Sequence, residues 1–224
     1  MNKEYSQETL FGKKIISSIG YDEQEIIRDI LFLHADGKNI DCDPTYSIGN
    51  FYKKGIAAPI HKFDKSPRMP GVIEATSDKL PLRDQSIKVV MFDPPFVITG
   101  DTYGEAKEGS IIAKRFTGFK DWIELKSMYS GSLKEFYRIL MGGGIVIFKC
   151  QDIVSAALNK FSHCWVMYEA LKYGFYPKDL FVLLAKNRLT DNRVQQHARK
   201  FHSYFWVFKK EKCKVDYDGL RCAK

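Results

Sequence analysis

Residues 93–96 of this 224-residue chain read Asp93-Pro94-Pro95-Phe96, and each residue type has a chemical use. A carboxylate and the carbonyl that follows it can together accept both N–H bonds of an amino group. Where that nitrogen's lone pair is delocalised into a ring, the two acceptors concentrate electron density on it and favour its attack on an electrophile. Consecutive prolines fix φ and carry no N–H, so the carbonyl stays aimed and the loop stays stiff. Phe96 offers a face for a flat ring, and base stacking of this kind is worth roughly 1–3 kcal/mol. In isolation the same four residues could be an Asp-Pro turn with a buried Phe. Their placement favours chemistry. The preceding run, Ile87–Phe92, is apolar and β-rich with one interruption at Lys88, as expected of a buried parallel strand. Ligands of open α/β sheets bind in the crevice beyond such strand ends.

The other elements must position that stretch. Residues 1–20 are amphipathic and mixed, with Leu10, Phe11, Ile15 and Ile16 on a short helix. Asp22 and Glu25 have capping-box spacing before a helical stripe of Ile26, Ile27, Ile30, Leu31 and Leu33, which Asp36-Gly37 ends. Strands are expected at 39–42, 59–64 and 72–76, ahead of Ile87–Phe92. The polar, glycine-spaced stretch from 97 to 120 is too long for an ordinary connection. Trp122, Leu125, Met128, Tyr129, Leu133, Phe136, Tyr137 and Leu140 recur at helical steps, stopped by Gly142-Gly143-Gly144 ahead of a strand at 145–148. A helix through Ala156, Leu158, Phe161, Val166 and Leu171 follows. The final strands, 180–185 and 204–208, are joined directly and so pair antiparallel. Strands alternating with helices, then a closing hairpin, describe an α/β doubly wound sheet.

Composition sets the bounds. The length suits one domain with a large core, and 45% hydrophobic and 14% aromatic residues argue against disorder. No apolar run is long enough to span a membrane, and the polar start, Met1-Asn2-Lys3-Glu4, has no secretory core; a cytoplasmic protein is expected. Cys42, Cys150, Cys164, Cys213 and Cys222 are scattered without a CxxC pair, which reads as reduced thiols rather than a zinc site. His197 and His202 lack further ligands, so no metal is expected. The net charge of +8 suits a polyanionic partner.

No G-x-G-x-x-G follows the first strand, which argues against a dinucleotide. Asp43-Pro44-Thr45-Tyr46-Ser47-Ile48-Gly49-Asn50-Phe51 stands there instead. Together with Asp93-Pro94-Pro95-Phe96, this segment resembles the S-adenosyl-L-methionine-dependent amino-methyltransferases of the DNA adenine-N6 and cytosine-N4 type. Their first motif runs acidic-Pro-x-x-Gly-x-Gly-x-Phe, and Ser47 departs from it where the first glycine is usual. The resemblance covers roughly residues 39–208. It implies a Rossmann-like methyltransferase fold: a mostly parallel seven-stranded sheet with a C-terminal antiparallel hairpin. The domain would span 39–209 with a basic insert at about 97–120, preceded by a helical segment at 1–38 and followed by a charged tail at 210–224.

By the same resemblance Asp93, Pro94, Pro95 and Phe96 are catalytic. Asp43, Pro44, Ser47 and Gly49 form the cofactor loop, where small residues admit the ligand and a carboxylate can meet its ammonium. Asp64 would accept from the ribose hydroxyls, though a helix cap or turn is an equal reading. The adenine-N6 acceptor falls in register on Thr76 or Ser77 rather than on Asp78, two residues later. Asp152, after the fifth strand, reads as a cap of the next helix.

Two basic segments could hold nucleic acid. One carries Lys107, Lys114, Arg115 and Lys120 among Tyr103, Phe116 and Phe119; the other carries Arg193, Arg199 and Lys200. The expected activity is methyl transfer to adenine N6 in DNA. Two alternatives stay open: a guanine-N2 or other amino methyltransferase of tRNA or rRNA, and a nucleic-acid-binding module with a decayed cofactor site. The oligomeric state is not legible.

Overall fold

The computed structural model describes residues 15–98, 118–185 and 197–217. Among these, ten strands and three α-helices follow in the order β1 (Ile19–Gly20), α1 (Glu23–His34), β2 (Cys42–Asp43), β3 (His61–Asp64), β4 (Ile73–Glu74), β5 (Ile87–Phe92), α2 (Trp122–Ile139), β6 (Leu140–Cys150), β7 (Ile153–Ser155), β8 (Leu158–Lys160), α3 (Ser162–Lys172), β9 (Tyr176–Leu184) and β10 (His202–Lys209). Eight strands form one sheet in the order β1-β9-β10-β6-β5-β2-β3-β4, and β7 and β8 form a separate hairpin. Within the large sheet β10 runs antiparallel to both β6 and β9, and every other pairing is parallel. This is the Rossmann-like methyltransferase sheet with its reversed strand, extended at the hairpin edge by the two residues of β1.

The sheet is buried on both faces, which is why its central strands read as continuous apolar runs. Val89, Met91, Ile145, Ile147, Phe205 and Val207 pack with Ile26, Ile27, Ile30 and Leu31 of α1. Their neighbours Val90, Phe92, Val146, Phe148, Trp206 and Phe208 face the other way, onto Leu125, Tyr129, Leu133 and Phe136 of α2 and Val166 and Ala170 of α3. Chain connections leave β2 and β5 in opposite directions along the sheet, yet the two strands are neighbours through Cys42 and Val90. Their carboxyl ends therefore flank the topological switch point, the expected ligand crevice.

Several local expectations need correction. Residues 15–20 contribute the edge strand β1 rather than a helix; 1–14 lie outside the described residues. Helix α3 starts at Ser162, because Ala156 and Ala157 take φ of 50° and 57° and turn the chain into the β7–β8 hairpin. The three glycines at 142–144 do not stop α2, which ends at Ile139; they lie within β6, where Gly143 N–H donates to the Lys210 carbonyl. The first and third strands shrink to two residues each, since the turns around them hold the backbone instead. Asp22 does cap α1, accepting from the Gln24 and Glu25 N–H groups.

Candidate active site

The loop after β2 is held by its own polar residues. Asp43, buried, accepts through Oδ1 from the N–H of Thr45 at 2.8 Å and its hydroxyl at 3.2 Å, and through Oδ2 from the Tyr52 hydroxyl at 2.7 Å. Burial pushes its pKa up to about 7 against those three donors, with the Asp93 charge adding to the rise. Asp64, at the end of β3, takes the Ser47 N–H at 2.9 Å on Oδ2 and the Ser66 N–H at 2.8 Å on Oδ1. Ser47 itself lies in the left-handed region with φ of 49°, the conformation a glycine would supply. Gly49 is left-handed too, at φ of 67°, and any Cβ there would lie 2.6 Å from the Tyr46 hydroxyl. Tyr46 in turn stacks on Tyr52, ring centroids 5.3 Å apart. Asp43 and Asp64 thus act first as clasps of this loop, each oxygen already accepting a hydrogen bond.

Beside it, the chain leaves β5 through Asp93. Its backbone N–H donates to the Thr45 hydroxyl at 2.9 Å, so one side chain joins the loop after β2 to the tetrapeptide. Asp93 and Pro95 are half-buried, Pro94 is buried and Phe96 half-buried. Asp93 Oδ2 accepts from Lys149 Nζ at 3.4 Å, and the same ammonium donates to Glu23 Oε2 at 3.1 Å. Lys149 also lies over the Phe51 and Phe205 rings, 5.3 and 5.5 Å from their centroids. Burial raises the Asp93 pKa and the Glu23 charge raises it further, while Lys149 pulls it down; the net direction is up. For Lys149 burial favours the neutral amine, but Asp93 and Glu23 outweigh it and hold the ammonium.

Sequence reasoning missed Thr45, Tyr52, Glu23 and Lys149. The signal for Lys149 was a cation closing an apolar strand run whose neighbour ends in Asp93. Thr45 occupies a variable position of the loop motif and carried no such signal. Asp152 caps α3 from afar, accepting from the His163 N–H at 3.2 Å and from its Nδ1 at 2.7 Å across the intervening hairpin.

Of the remaining expected positions, Pro44 is buried in the β2 loop. Thr76 is exposed at a turn, and Ser77 shares a 2.7 Å hydrogen bond with Ser132 of α2. The insert's ends meet where Phe119 N–H donates to the Val97 carbonyl and Ile98 pairs with Phe119, which places Lys120 at its base. Arg199 and Lys200 precede β10, and Gln151 Nε2 donates to the Lys200 and His202 carbonyls, holding them near the end of β6. Lys107, Lys114, Arg115 and Arg193 lie outside the described residues. Among the described residues no His/Cys/Asp/Glu group could hold a metal, and no helix is long and apolar enough to cross a membrane.

No family model and no curated protein matches the chain. Solved structures do. TTHA0409 from Thermus thermophilus, named as a candidate DNA modification methylase, aligns at 13% identity and TM-score 0.45 over 71% of this chain and 57% of that one. The cytosine-N4-specific PvuII DNA methyltransferase aligns at 16% and 0.46, over 67% of this chain and 52% of that one. N-methyltransferase NodS from Bradyrhizobium japonicum aligns at 9% and 0.47, over 85% and 97%. The chain therefore spans little more than half the length of the two DNA enzymes. Likeness this remote carries no argument, and the architecture rests on the strand order itself.

Proposed function

We propose that the chain is an S-adenosyl-L-methionine-dependent methyltransferase acting on the exocyclic amino group of a nucleobase, adenine N6 in DNA. The observation that carries this is the juxtaposition at the switch point. Asp93 and Pro94 leave β5 beside the left-handed Ser47–Gly49 loop of β2, with Thr45 bonded across.

The residues present fit the cofactor. The loop approaches without a side chain at Gly49, and a phosphate-cradling glycine motif is absent, as suits a ligand without phosphate. Gln24, buried at the first turn of α1, donates through Nε2 to the Asn50 carbonyl at 3.1 Å, while its Oε1 accepts nothing among the described residues. An orphaned acceptor beside this loop suits the ammonium of a bound amino-acid moiety. Gly49, Ser47 and Gln24 would hold the cofactor, with Asp43 and Asp64 shaping the loop from behind and Thr76 and Ser77 toward the adenine side. Bound S-adenosyl-L-methionine supplies the electrophilic sulfonium methyl group.

The protein's own contribution is to prepare the nucleophile. Asp93 Oδ1 and the Pro94 carbonyl accept the two amino N–H bonds, so that the lone pair leaves the ring's conjugation and points outward. Pro95 keeps the carbonyl in place, and Phe96 receives the base extruded from its stack. The displaced proton passes to water. Lys120, Arg199 and Lys200 of the described residues, with Lys107, Lys114, Arg115 and Arg193, would contact phosphates.

Calorimetry with S-adenosyl-L-methionine and a labelled-methyl assay on DNA and RNA in parallel test this reading. Saturable binding with label in DNA is expected. Label confined to RNA would move the substrate, and absence of both binding and transfer would overturn the proposal.

A further inference from the structure

We infer that Lys149 is a positioning residue for the reaction: held in place by Glu23, it orients Asp93 and keeps it as a carboxylate. The inference rests on the proposed function for its purpose, though not for its test.

The geometry is that of a clamp. Lys149 is the penultimate residue of β6, the strand next to the one that leads into Asp93, with Met91 opposite Ile147 and Phe92 opposite Phe148 fixing the register. Its side chain is only 12% exposed, and it spans a gap between a carboxylate of the catalytic loop and one from α1. The aliphatic stem and ammonium are packed between Phe51 and Phe205, so the cation has little freedom to leave. Because Lys149 binds Oδ2 of Asp93, the other oxygen, Oδ1, has no partner among the described residues and remains for an incoming N–H.

Such a clamp answers a specific problem. A carboxylate at a partly dry strand end tends to protonate, and a protonated Asp93 would offer a donor where the amino group needs an acceptor. The titratable groups around Asp93 come from every side: Lys149 from β6, Glu23 from α1, Asp43 from β2 and the neutral phenol of Tyr129 from α2. Lys149 is the one cation among them. Glu23 repels the charge on Asp93 and burial disfavours it, so the balance depends on the lysine. Glu23 has a double effect, since it opposes the carboxylate directly while anchoring the cation that sustains it.

Carboxyl-labelled NMR titration of Asp93 in the full chain tests the inference without requiring turnover. In Lys149→Met, which keeps the packing on Phe51 and Phe205, the Asp93 midpoint should rise by roughly 1–3 pH units, the range for loss of a close opposite charge. Lys149→Arg should keep it near the parent value. Glu23→Gln should move it in the opposite direction, downward. If transfer is detected, the acid limb of kcat should follow the same shifts with KM for S-adenosyl-L-methionine little changed. An unchanged midpoint in Lys149→Met would overturn the clamp, even in an active enzyme. Should the Met variant fail to fold, Lys149→Gln takes its place: a raised Asp93 midpoint there supports the clamp and an unchanged one refutes it. A chain that binds no cofactor but shows these shifts would refute the function and leave the clamp standing.

Discussion

Two ion networks lie on either side of β5, and they are built to opposite ends. At its amino-terminal side Arg138 of α2 donates to both Glu135 oxygens, at 2.6 and 2.8 Å, to the Leu80 and Leu82 carbonyls and to Asp84. Glu135 is buried and also accepts the Leu80 N–H at 2.7 Å, and the paired carboxylates raise the Arg138 pKa. The arrangement saturates the guanidinium and fixes the approach to the strand. At the carboxyl-terminal end Lys149 reaches two carboxylates at 3.1 and 3.4 Å and leaves an Asp93 oxygen for something else. A saturated network holds a fold, while an unsaturated one at a crevice is poised for a ligand.

This contrast can be broken by substitution. The largest effect should come from Asp93→Ala, which removes the proposed transition-state acceptor: transfer should fall by roughly 10²–10³-fold or more. Its thermal midpoint should stay close to the parent's, as read by calorimetric scans. Arg138→Ala should do the reverse. It strands the buried Glu135 carboxylate at a cost of roughly 2–4 kcal/mol. Turnover per folded molecule should change by no more than a few-fold, checked by urea unfolding alongside the activity assay.

Thr45→Val sharpens the comparison, because Thr45 belongs to both stability and chemistry. Loss of the hydroxyl removes the acceptor for Asp93 N–H and one donor to Asp43, about 1–2 kcal/mol of stability, and the activation barrier should rise by a similar amount. Equal loss of stability with unchanged turnover would separate the two loops. The last effect concerns pH. Asp43 has a folded pKa of about 7 against an ordinary value of 3.8, so the native state binds the extra proton. The stability this contributes is complete below about pH 4 and is lost as pH rises through 7. Asp43→Asn should flatten the fall of the thermal midpoint between pH 4 and 8.

The central strands were legible because burial on both faces writes a continuous apolar run, as in Ile87–Phe92. Short strands such as Cys42–Asp43 and Ile73–Glu74 carry too few residues to set a pattern. The β7–β8 hairpin was hidden because its turn residues, Ala156 and Ala157, are good helix formers held at positive φ by tertiary context. Asp93 was legible through its two prolines, which mark a stiff loop. Lys149 was not, since its partners Glu23 and Asp93 lie 126 and 56 residues away in sequence and meet only through the sheet register.

As proposed, Asp93 and Pro94 prepare the exocyclic amino nitrogen of a nucleobase to accept a methyl group. Digestion of labelled product to nucleosides tests it most directly. The label should fall on an exocyclic amino nitrogen, N6 of adenine in DNA, and be lost in Asp93→Ala. Label on a ring carbon, or undiminished label in that variant, would contradict it.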